Sequence, residues 1–147
     1  MKKRLTALVA ATILFMGTAF ANKNIEPSQP LQNEFNRLFS QPTEVKWELV
    51  SNFYKVSFVQ SGQHITAFFN PSGKIEAVSR NISTVYLPLI LQKSLQEKLS
   101  SSWVSECFEV DGKNGIKYYV TIENANEKVL YESTGNDWSK YTQTGII

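Results

Sequence analysis

The sequence predicts an α+β fold: a tandem helix-plus-antiparallel-meander repeat, with two helices packed on one face of an antiparallel sheet. Apolar residues recur at helical spacing in two segments. After each segment, apolar and polar residues alternate in short runs that tight-turn sequences separate, which is typical of antiparallel strands. The order helix, then meander, occurs twice, and repeated units bury their apolar faces against one another. This arrangement leaves the other sheet face open.

The first residues have the three parts of a secretory signal peptide. A basic head, Lys2–Arg4, precedes an apolar run from Leu5 to Gly17, and Ala19 and Ala21 are spaced as a small-x-small cleavage site. The apolar run is short for a membrane span. We expect cleavage after Ala21, a periplasmic or secreted location, and no membrane insertion of the mature chain. The alternative is an uncleaved anchor.

Charge gives no indication of a nucleic-acid partner. The full chain has 15 basic and 13 acidic residues. Removing residues 1–21 removes three basic residues and no acidic one, so the mature chain has a net charge of −1. A near-neutral domain with interspersed charges lacks the basic surface that nucleic acids or anionic membranes select.

The first helix is predicted in the segment Pro30–Ser40, after a flexible lead at residues 22–29. Proline suits the first turn of a helix, and Pro42 ends it. The apolar face consists of Leu31, Phe35, Leu38 and Phe39. The strands that follow are predicted in VKWELV, FYKVSFV, HITAFFN and KIEAVSR. Turns at Ser61-Gly62 and in NPSG join them. These elements form repeat 1, about residues 30–80.

A second helix is predicted from about Leu87 to Leu99, where leucines recur every four residues. A second meander follows in WVSECFEV, IKYYVTIEN and KVLYES, and the tail gives either one more short strand or a loop. These elements form repeat 2, about residues 87–138. The two repeats make a single domain over residues 30–147, in which Trp47 corresponds to Trp103 and Lys74 to Lys128.

At family level the chain resembles the secreted bacterial PepSY-like domains. A tryptophan after the first helix carries the resemblance, together with FYKVSF, ITAFFNPSGKIEAVS and a leucine helix that begins near an LP pair. It covers roughly Pro30 to Trp138, although the second half has no glycine that matches Gly73. The resemblance implies a fold similar to the β-lactamase inhibitor protein and an extracytoplasmic binding or inhibitory role. It implies no catalytic residues.

Residues for catalysis or metal binding are scarce. His64 is the single histidine and Cys107 the single cysteine. A Cys-His nucleophilic pair is conceivable, but no local motif supports it, and a buried structural cysteine is the favoured interpretation. One residue of each type does not make a structural zinc site. We therefore expect no catalytic residues, no metal and no cofactor.

Aromatic residues in the predicted strands are the candidates for binding. Adjacent residues on a strand point to opposite faces, so pairs such as Phe68-Phe69 and Tyr118-Tyr119 cannot both face the helices. The candidate binding residues on the open sheet face are Phe69, Tyr118, Tyr119, Tyr131 and Trp138. The alternative for these rings is cover by the tail from Gly135 to Ile147.

The functional hypothesis is a non-catalytic binding module, inhibitory or regulatory, for a protein or peptide outside the cytoplasm. It depends on the signal peptide, on the aromatic sheet face and on the lack of catalytic motifs. The alternative is a small-ligand carrier or enzyme with a cystatin-like or NTF2-like roll, in which a curved sheet encloses a pocket.

Overall fold

A computed structural model describes residues Lys23–Tyr141. Within this range the chain forms two compact units. The first unit contains the residues up to Arg80 together with Asp111–Gly115. The second contains Asn81–Val110 and the described residues from Ile116 onwards. The predicted signal peptide and its cleavage site lie outside the described residues.

Two helices and nine strands make up the regular structure of the described residues. The helices are α1, Gln29–Leu38, and α2, Leu89–Leu99; a short 3₁₀ turn, Thr84–Tyr86, precedes α2. The strands are β1, Lys23–Asn24; β2, Thr43–Val50; β3, Phe53–Gln60; β4, Gln63–Phe69; β5, Ile75–Asn81; β6, Trp103–Gly112; β7, Gly115–Glu123; β8, Lys128–Thr134; and β9, Asp137–Lys140. The predicted flexible lead therefore includes a two-residue strand. The additional short strand in the tail is confirmed as β9.

In the first unit, β1 to β5 pair antiparallel in chain order. Helix α1 contributes Leu31 and Phe35 to a core that contains Val56 and Phe58 from β3. The Phe35 ring lies 5.1 Å from the Phe58 ring and 5.3 Å from the Trp47 ring, in both cases edge to face. Edge-to-face pairs of this kind are favourable beyond the apolar area they bury. They fix α1 against β2 and β3.

The predicted NPSG turn between β4 and β5 is confirmed. The Gly73 backbone N–H donates to the carbonyl of Asn70 at 2.9 Å. The Asn70 side-chain oxygen accepts from the backbone N–H groups of Ser72 and Lys74. Gly73 has φ +79°, a left-handed conformation that glycine adopts without steric cost.

In the second unit, the strands β6 to β9 are hydrogen-bonded neighbours in the same order as in the sequence. Helix α2 contributes Leu91 and Leu95 to a core that also contains Val120 and Trp138. Leu87, the residue before the N-cap of α2, belongs to the same core. The predicted leucine stripe is confirmed, but α2 begins at Leu89 because Pro88 is its N-cap. No helix within Lys23–Tyr141 has the length and hydropathy needed to cross a membrane.

The predicted fold class is wrong. The described structure is mainly antiparallel sheet with only two helices, of 10 and 11 residues, and not two helices packed on one face of a sheet in a tandem repeat. A one-sided arrangement requires alternating burial along each strand. Strand β7 instead buries four consecutive residues, from Tyr119 to Ile122, and β4 buries Ala67, Phe68 and Phe69. The side opposite the helices is therefore covered along these strands, too.

Candidate functional site

Three of the five predicted binding residues are buried. Phe69 is 0% exposed, Tyr119 is 1% exposed and Trp138 is 3% exposed. Tyr118 and Tyr131 are half-buried. The expectation that an open sheet face exposes Phe69, Tyr119 and Trp138 is wrong, because these rings contact other side chains within their own units.

Phe69 belongs to the core beneath helix α1. Its ring centroid lies 5.9 Å from that of Trp47. Its neighbour Phe68 is 1% exposed although it points to the opposite face. The pairing of β4 with β5 shifts register between these two phenylalanines. Strand alternation thus correctly predicts that the Phe68 and Phe69 rings point to opposite faces of β4, but both faces are buried at this position.

Tyr119 lies on the opposite side of β7 from Val120, which is in the core beneath α2. Its ring stacks on Phe108 with centroids 5.2 Å apart and an interplanar angle of 12°. Tyr141 meets it edge-on at 6.1 Å. Burial raises the pKa of the Tyr119 hydroxyl, and the charge of Glu132 adds to the effect. Tyr141 precedes the last residues of the chain, so part of the predicted cover by the tail is confirmed.

Trp138 is held by helix α2. Its indole Nε1–H donates to the backbone carbonyl of Leu91 at 3.0 Å. The preceding residue, Asp137, accepts a short hydrogen bond from the Ser94 hydroxyl and lies 3.6 Å from the ammonium of Lys98. The hydrogen bond from Ser94, followed by one that the backbone N–H of Trp138 donates to Asp137 Oδ1 at 2.7 Å, holds the pKa of the Asp137 carboxyl below its ordinary value. Trp138 is therefore a structural link between β9 and α2.

Tyr118 and Tyr131 pack with part of their side chains against the core beneath α2. The backbone N–H of Tyr118 donates to the Ser133 hydroxyl at 3.0 Å. Tyr131 pairs with Val120 on one side and Lys140 on the other. The role of Tyr118 and Tyr131 in binding stays a prediction. Their rings are less exposed than an open sheet face would leave them.

His64 and Cys107 do not lie in one unit. His64 is exposed on β4, opposite Val59 in β3. Cys107 is 8% exposed in the core beneath α2. Burial raises the pKa of the Cys107 thiol to about 12. Among Lys23–Tyr141 no group of three His, Cys, Asp or Glu side chains is placed to hold a metal ion.

The burial of Cys107 gives a direct chemical expectation. At pH 8 a thiol with a pKa of about 12 is a thiolate in a fraction on the order of 10⁻⁴, whereas an ordinary thiol is so in roughly a quarter of molecules. We expect iodoacetamide to label the folded protein very slowly and the urea-unfolded protein rapidly, as followed by intact mass. Rapid labelling of the folded protein would show that the thiol is activated and accessible.

The three most exposed large apolar side chains among the described residues lie in one stretch, Val85–Ile90, which we term the exposed apolar segment. Val85 is 67% exposed, Tyr86 75%, Leu89 82% and Ile90 47%. Monomeric proteins rarely leave several large apolar residues together in water unless they form an interaction site. Within the segment, Leu87 is 3% exposed and fixes it to the core.

Hydrogen bonds to the backbone hold this segment in a defined shape. The side-chain amide of Gln92 in α2 donates to the backbone carbonyls of Val85 and Leu87, at 3.1 and 2.8 Å. The backbone N–H of Tyr86 donates to the carbonyl of Ser83 at 2.9 Å. Because Gln92 satisfies two carbonyls that precede the helix, the exposed side chains stand on a preorganised support.

A shallow pocket of about 300 Å³ adjoins the segment at Ile90. Its lining consists of Ile90, Lys93, Ser94, Glu97, Asn136 and Asp137. Lys93 and Glu97 are exposed, and neither forms an ion pair with another described residue. The apolar segment is thus bordered by Lys93 and Glu97, two charges that have no ion-pair partner within Lys23–Tyr141.

The predicted candidate residues do not include this segment. The chain offered a signal for it in the run Val85–Ile90, where proline is the only residue that is not apolar. A helical stripe spaced by four places only Leu87, Leu91 and Leu95 towards the core. The other apolar side chains of the run must then point away from it.

Comparison with known proteins supports the fold. No protein-family model matches the chain, and no curated protein does. A BLIP-like protein from Bacteroides fragilis superposes with a TM-score of 0.67 at 18% identity, over 80% of this chain and 85% of that one. A protein described as periplasmic, from Bacteroides eggerthii, superposes with a TM-score of 0.74 at 12% identity, over 80% of this chain and 89% of that one. A DUF2874 family protein from Bacteroides uniformis superposes with a TM-score of 0.71 at 13% identity, over 80% of this chain and 88% of that one. The chain has a BLIP-like fold, and likeness at this identity shows the fold alone.

Proposed function

We propose that the chain is an extracytoplasmic, non-catalytic protein-binding module that binds its partner through the exposed apolar segment. The observation that carries the proposal is the exposure of Val85, Tyr86, Leu89 and Ile90 within six consecutive residues, whose backbone is hydrogen-bonded to Gln92. The signal-peptide pattern at residues 1–21 supports the location. The periplasmic description of one structural neighbour agrees with it.

The segment has the properties of an interface centre. Tyrosine is enriched among residues that dominate binding energy, and such residues cluster where a partner can exclude water around them. Tyr86 and Leu89 are the two most exposed large apolar side chains among the described residues. Because Gln92 already fixes the backbone beneath them, binding costs less conformational entropy than ordering a flexible loop.

The partner that fits is a protein surface of matching chemistry. Its centre is apolar, so that it covers Tyr86 and Leu89, and a carboxylate at its rim pairs with Lys93 beside Ile90. Charge pairs at a rim fix register and speed association more than they add affinity. Membership of the PepSY-like domains and an inhibitory action on the partner belong to this proposal as its finer parts. They are supported by the sequence resemblance and by the BLIP-like neighbour.

Site-specific photocrosslinking tests the proposal. Mature protein carrying p-benzoylphenylalanine in place of Tyr86 is irradiated with the extracytoplasmic fraction of the producing bacterium. We expect one dominant covalent adduct whose mass exceeds that of the chain by the mass of a single partner. The same label at Ile116, which is 52% exposed outside the segment, is the matched control and should give little of that adduct.

Three results would contradict the proposal. Equal adduct from positions 86 and 116 would show non-specific contact. Absence of any adduct from position 86 would show that the segment has no partner in that fraction. An adduct with twice the chain mass, also formed by purified protein alone, would make a second copy the occupant of the segment.

A further inference from the structure

Strand β9 is an edge strand of the second unit. It runs from Asp137 to Lys140, and β8 is its one neighbour among the described strands. The open edge of a strand carries N–H and C=O groups that can pair with a strand of another chain, and natural proteins shield such edges. The exposed apolar segment contains no residue of β9, so the proposed binding surface does not account for this edge.

The pairing of β9 with β8 determines which backbone groups point outward. The backbone N–H of Tyr141 donates to the carbonyl of Leu130 at 2.8 Å. In the next position of the register, Lys140 lies opposite Tyr131. Directly opposed residues of an antiparallel pair alternate between hydrogen-bonded and non-hydrogen-bonded positions. The N–H and C=O groups of Lys140 and Trp138 therefore point away from β8, towards the open edge.

The Asp137 side chain closes part of this edge. Its Oδ1 atom accepts a hydrogen bond from the outward-pointing N–H of Trp138 at 2.7 Å. The carboxylate thus occupies the position from which a carbonyl oxygen of an added strand would accept the same N–H. An ionised carboxylate is only an acceptor. An approaching carbonyl oxygen would therefore find a negative charge and no donor at this position.

Helix α2 holds the carboxylate across the edge. Trp138 faces α2, because its indole donates to a carbonyl of that helix, so the adjacent Asp137 is directed to the opposite face of the strand. The Asp137 carboxylate nevertheless accepts from the Ser94 hydroxyl of α2 and lies 3.6 Å from the Lys98 ammonium. Since β8 lies along the inner edge of β9, the side chain reaches the helix around the outer edge. Ser94 and Lys98 are positioning residues for Asp137.

We infer that Asp137 closes the outer edge of β9 to strand addition, and that the strand it excludes is β9 of a second copy of this chain. The edge is self-complementary in one register. When two copies pair antiparallel about a two-fold axis at Ser139, Trp138 of each copy lies opposite Lys140 of the other. Each outward Trp138 N–H then faces a Lys140 carbonyl, and the Asp137 carboxylate stands between them in both copies. This edge and the exposed apolar segment share no residue, so either proposal can fail without the other.

Disulfide trapping measures the pairing. In this register Ser139 lies opposite Ser139 at a non-hydrogen-bonded position, where Cα atoms are about 4.5 Å apart, a distance that a disulfide can span. Ser139→Cys is combined with the native Asp137 and with Asp137→Ala, and both proteins are oxidised in a glutathione buffer. We expect the linked dimer to form at least about tenfold faster with Asp137→Ala, because the carboxylate is then missing from both copies. Native Cys107 contributes little, because it is buried.

Two controls isolate the effect of the hydrogen bond. Ser101→Cys, exposed in the turn after α2, reports random collisions and should link at a rate that Asp137→Ala does not change. Asp137→Asn keeps an oxygen that can accept from the Trp138 N–H, so Ser139→Cys in this background should link as slowly as with the native Asp137. Equal linking of Ser139→Cys with Asp137 and with Asp137→Ala, or fast linking with Asp137→Asn, would overturn the inference.

Amide hydrogen exchange of the wild-type protein gives a readout that does not depend on the folding of a variant. Trp138 and Lys140 both direct their N–H groups outward, and the hydrogen bonds within Lys23–Tyr141 cap that of Trp138 but not that of Lys140. After correction for sequence, we expect the Trp138 amide to exchange about 5- to 10-fold more slowly than the Lys140 amide. Equal exchange of the two amides would show that the carboxylate leaves the edge open, and would contradict the inference.

Discussion

Replacing Tyr119 with alanine is expected to lower the free energy of unfolding by about 3–5 kcal/mol, the range found when large core aromatics are truncated. The ring is 1% exposed, stacks on Phe108 at 5.2 Å and meets Tyr141 edge-on at 6.1 Å. Its removal leaves a cavity that the surrounding strands cannot fill. Since domains of this size have about 5–15 kcal/mol of stability in total, the loss is a large part of it.

Urea denaturation followed by circular dichroism measures this loss, and Tyr118→Ala is the matched control. Tyr118 is the adjacent residue on the same strand, but it is only half-buried. We expect the control to cost clearly less, because part of its ring already contacts water. A Tyr119→Ala variant as stable as the wild type would contradict the burial of this ring, and would restore Tyr119 as a surface residue available for binding.

The comparison of these two tyrosines shows how far the sequence predicts the fold. Periodicity located the helices and most strands, because it reflects local geometry that each segment imposes on itself. It also showed that Tyr118 and Tyr119 point to opposite faces. It left open whether the Tyr119 face is covered, because the rings that cover it, Phe108 and Tyr141, lie on other segments of the chain. The one-sided fold class was wrong for this reason.

The candidate site was missed for a related reason. A leucine stripe in Leu87–Leu99 identified α2, and the structure confirms its buried members. The sequence prediction assigned Leu89 and Ile90 to the same helix without noting that they lie outside its buried leucine stripe and must face away from the core. Val85 and Tyr86 lie in a 3₁₀ turn of three residues, which is too short to show a periodic pattern in the sequence. Their exposure therefore could not be predicted from periodicity.

The second large effect is expected on binding. Tyr86→Ser combined with Leu89→Ser removes the two most exposed apolar side chains of the segment. If the two residues together contribute at least about 2.8 kcal/mol, less than the roughly 2 kcal/mol each that is typical of interface hot spots, the Kd rises by at least about 100-fold. Stability should change by less than about 0.5 kcal/mol per site, because neither side chain belongs to a buried core cluster.

Lys93→Glu adds a separate electrostatic arm to this experiment. The Lys93 ammonium borders the segment and pairs with no described residue. A carboxylate on the partner's rim would then meet a like charge, so we expect slower association with a weaker dependence on salt. Unchanged association kinetics would remove the carboxylate from the partner's description and leave the apolar centre in place.

Calorimetric titration of the crosslinked partner, once purified, into the wild type, the Tyr86→Ser/Leu89→Ser variant and Ile116→Ser tests the central claim most directly. We predict that the wild type and Ile116→Ser bind with the same Kd, and that the double variant binds at least about 100-fold more weakly while its urea midpoint stays unchanged. Wild-type affinity in the folded double variant, or an equal loss in Ile116→Ser, would contradict the assignment of the exposed apolar segment as the binding surface.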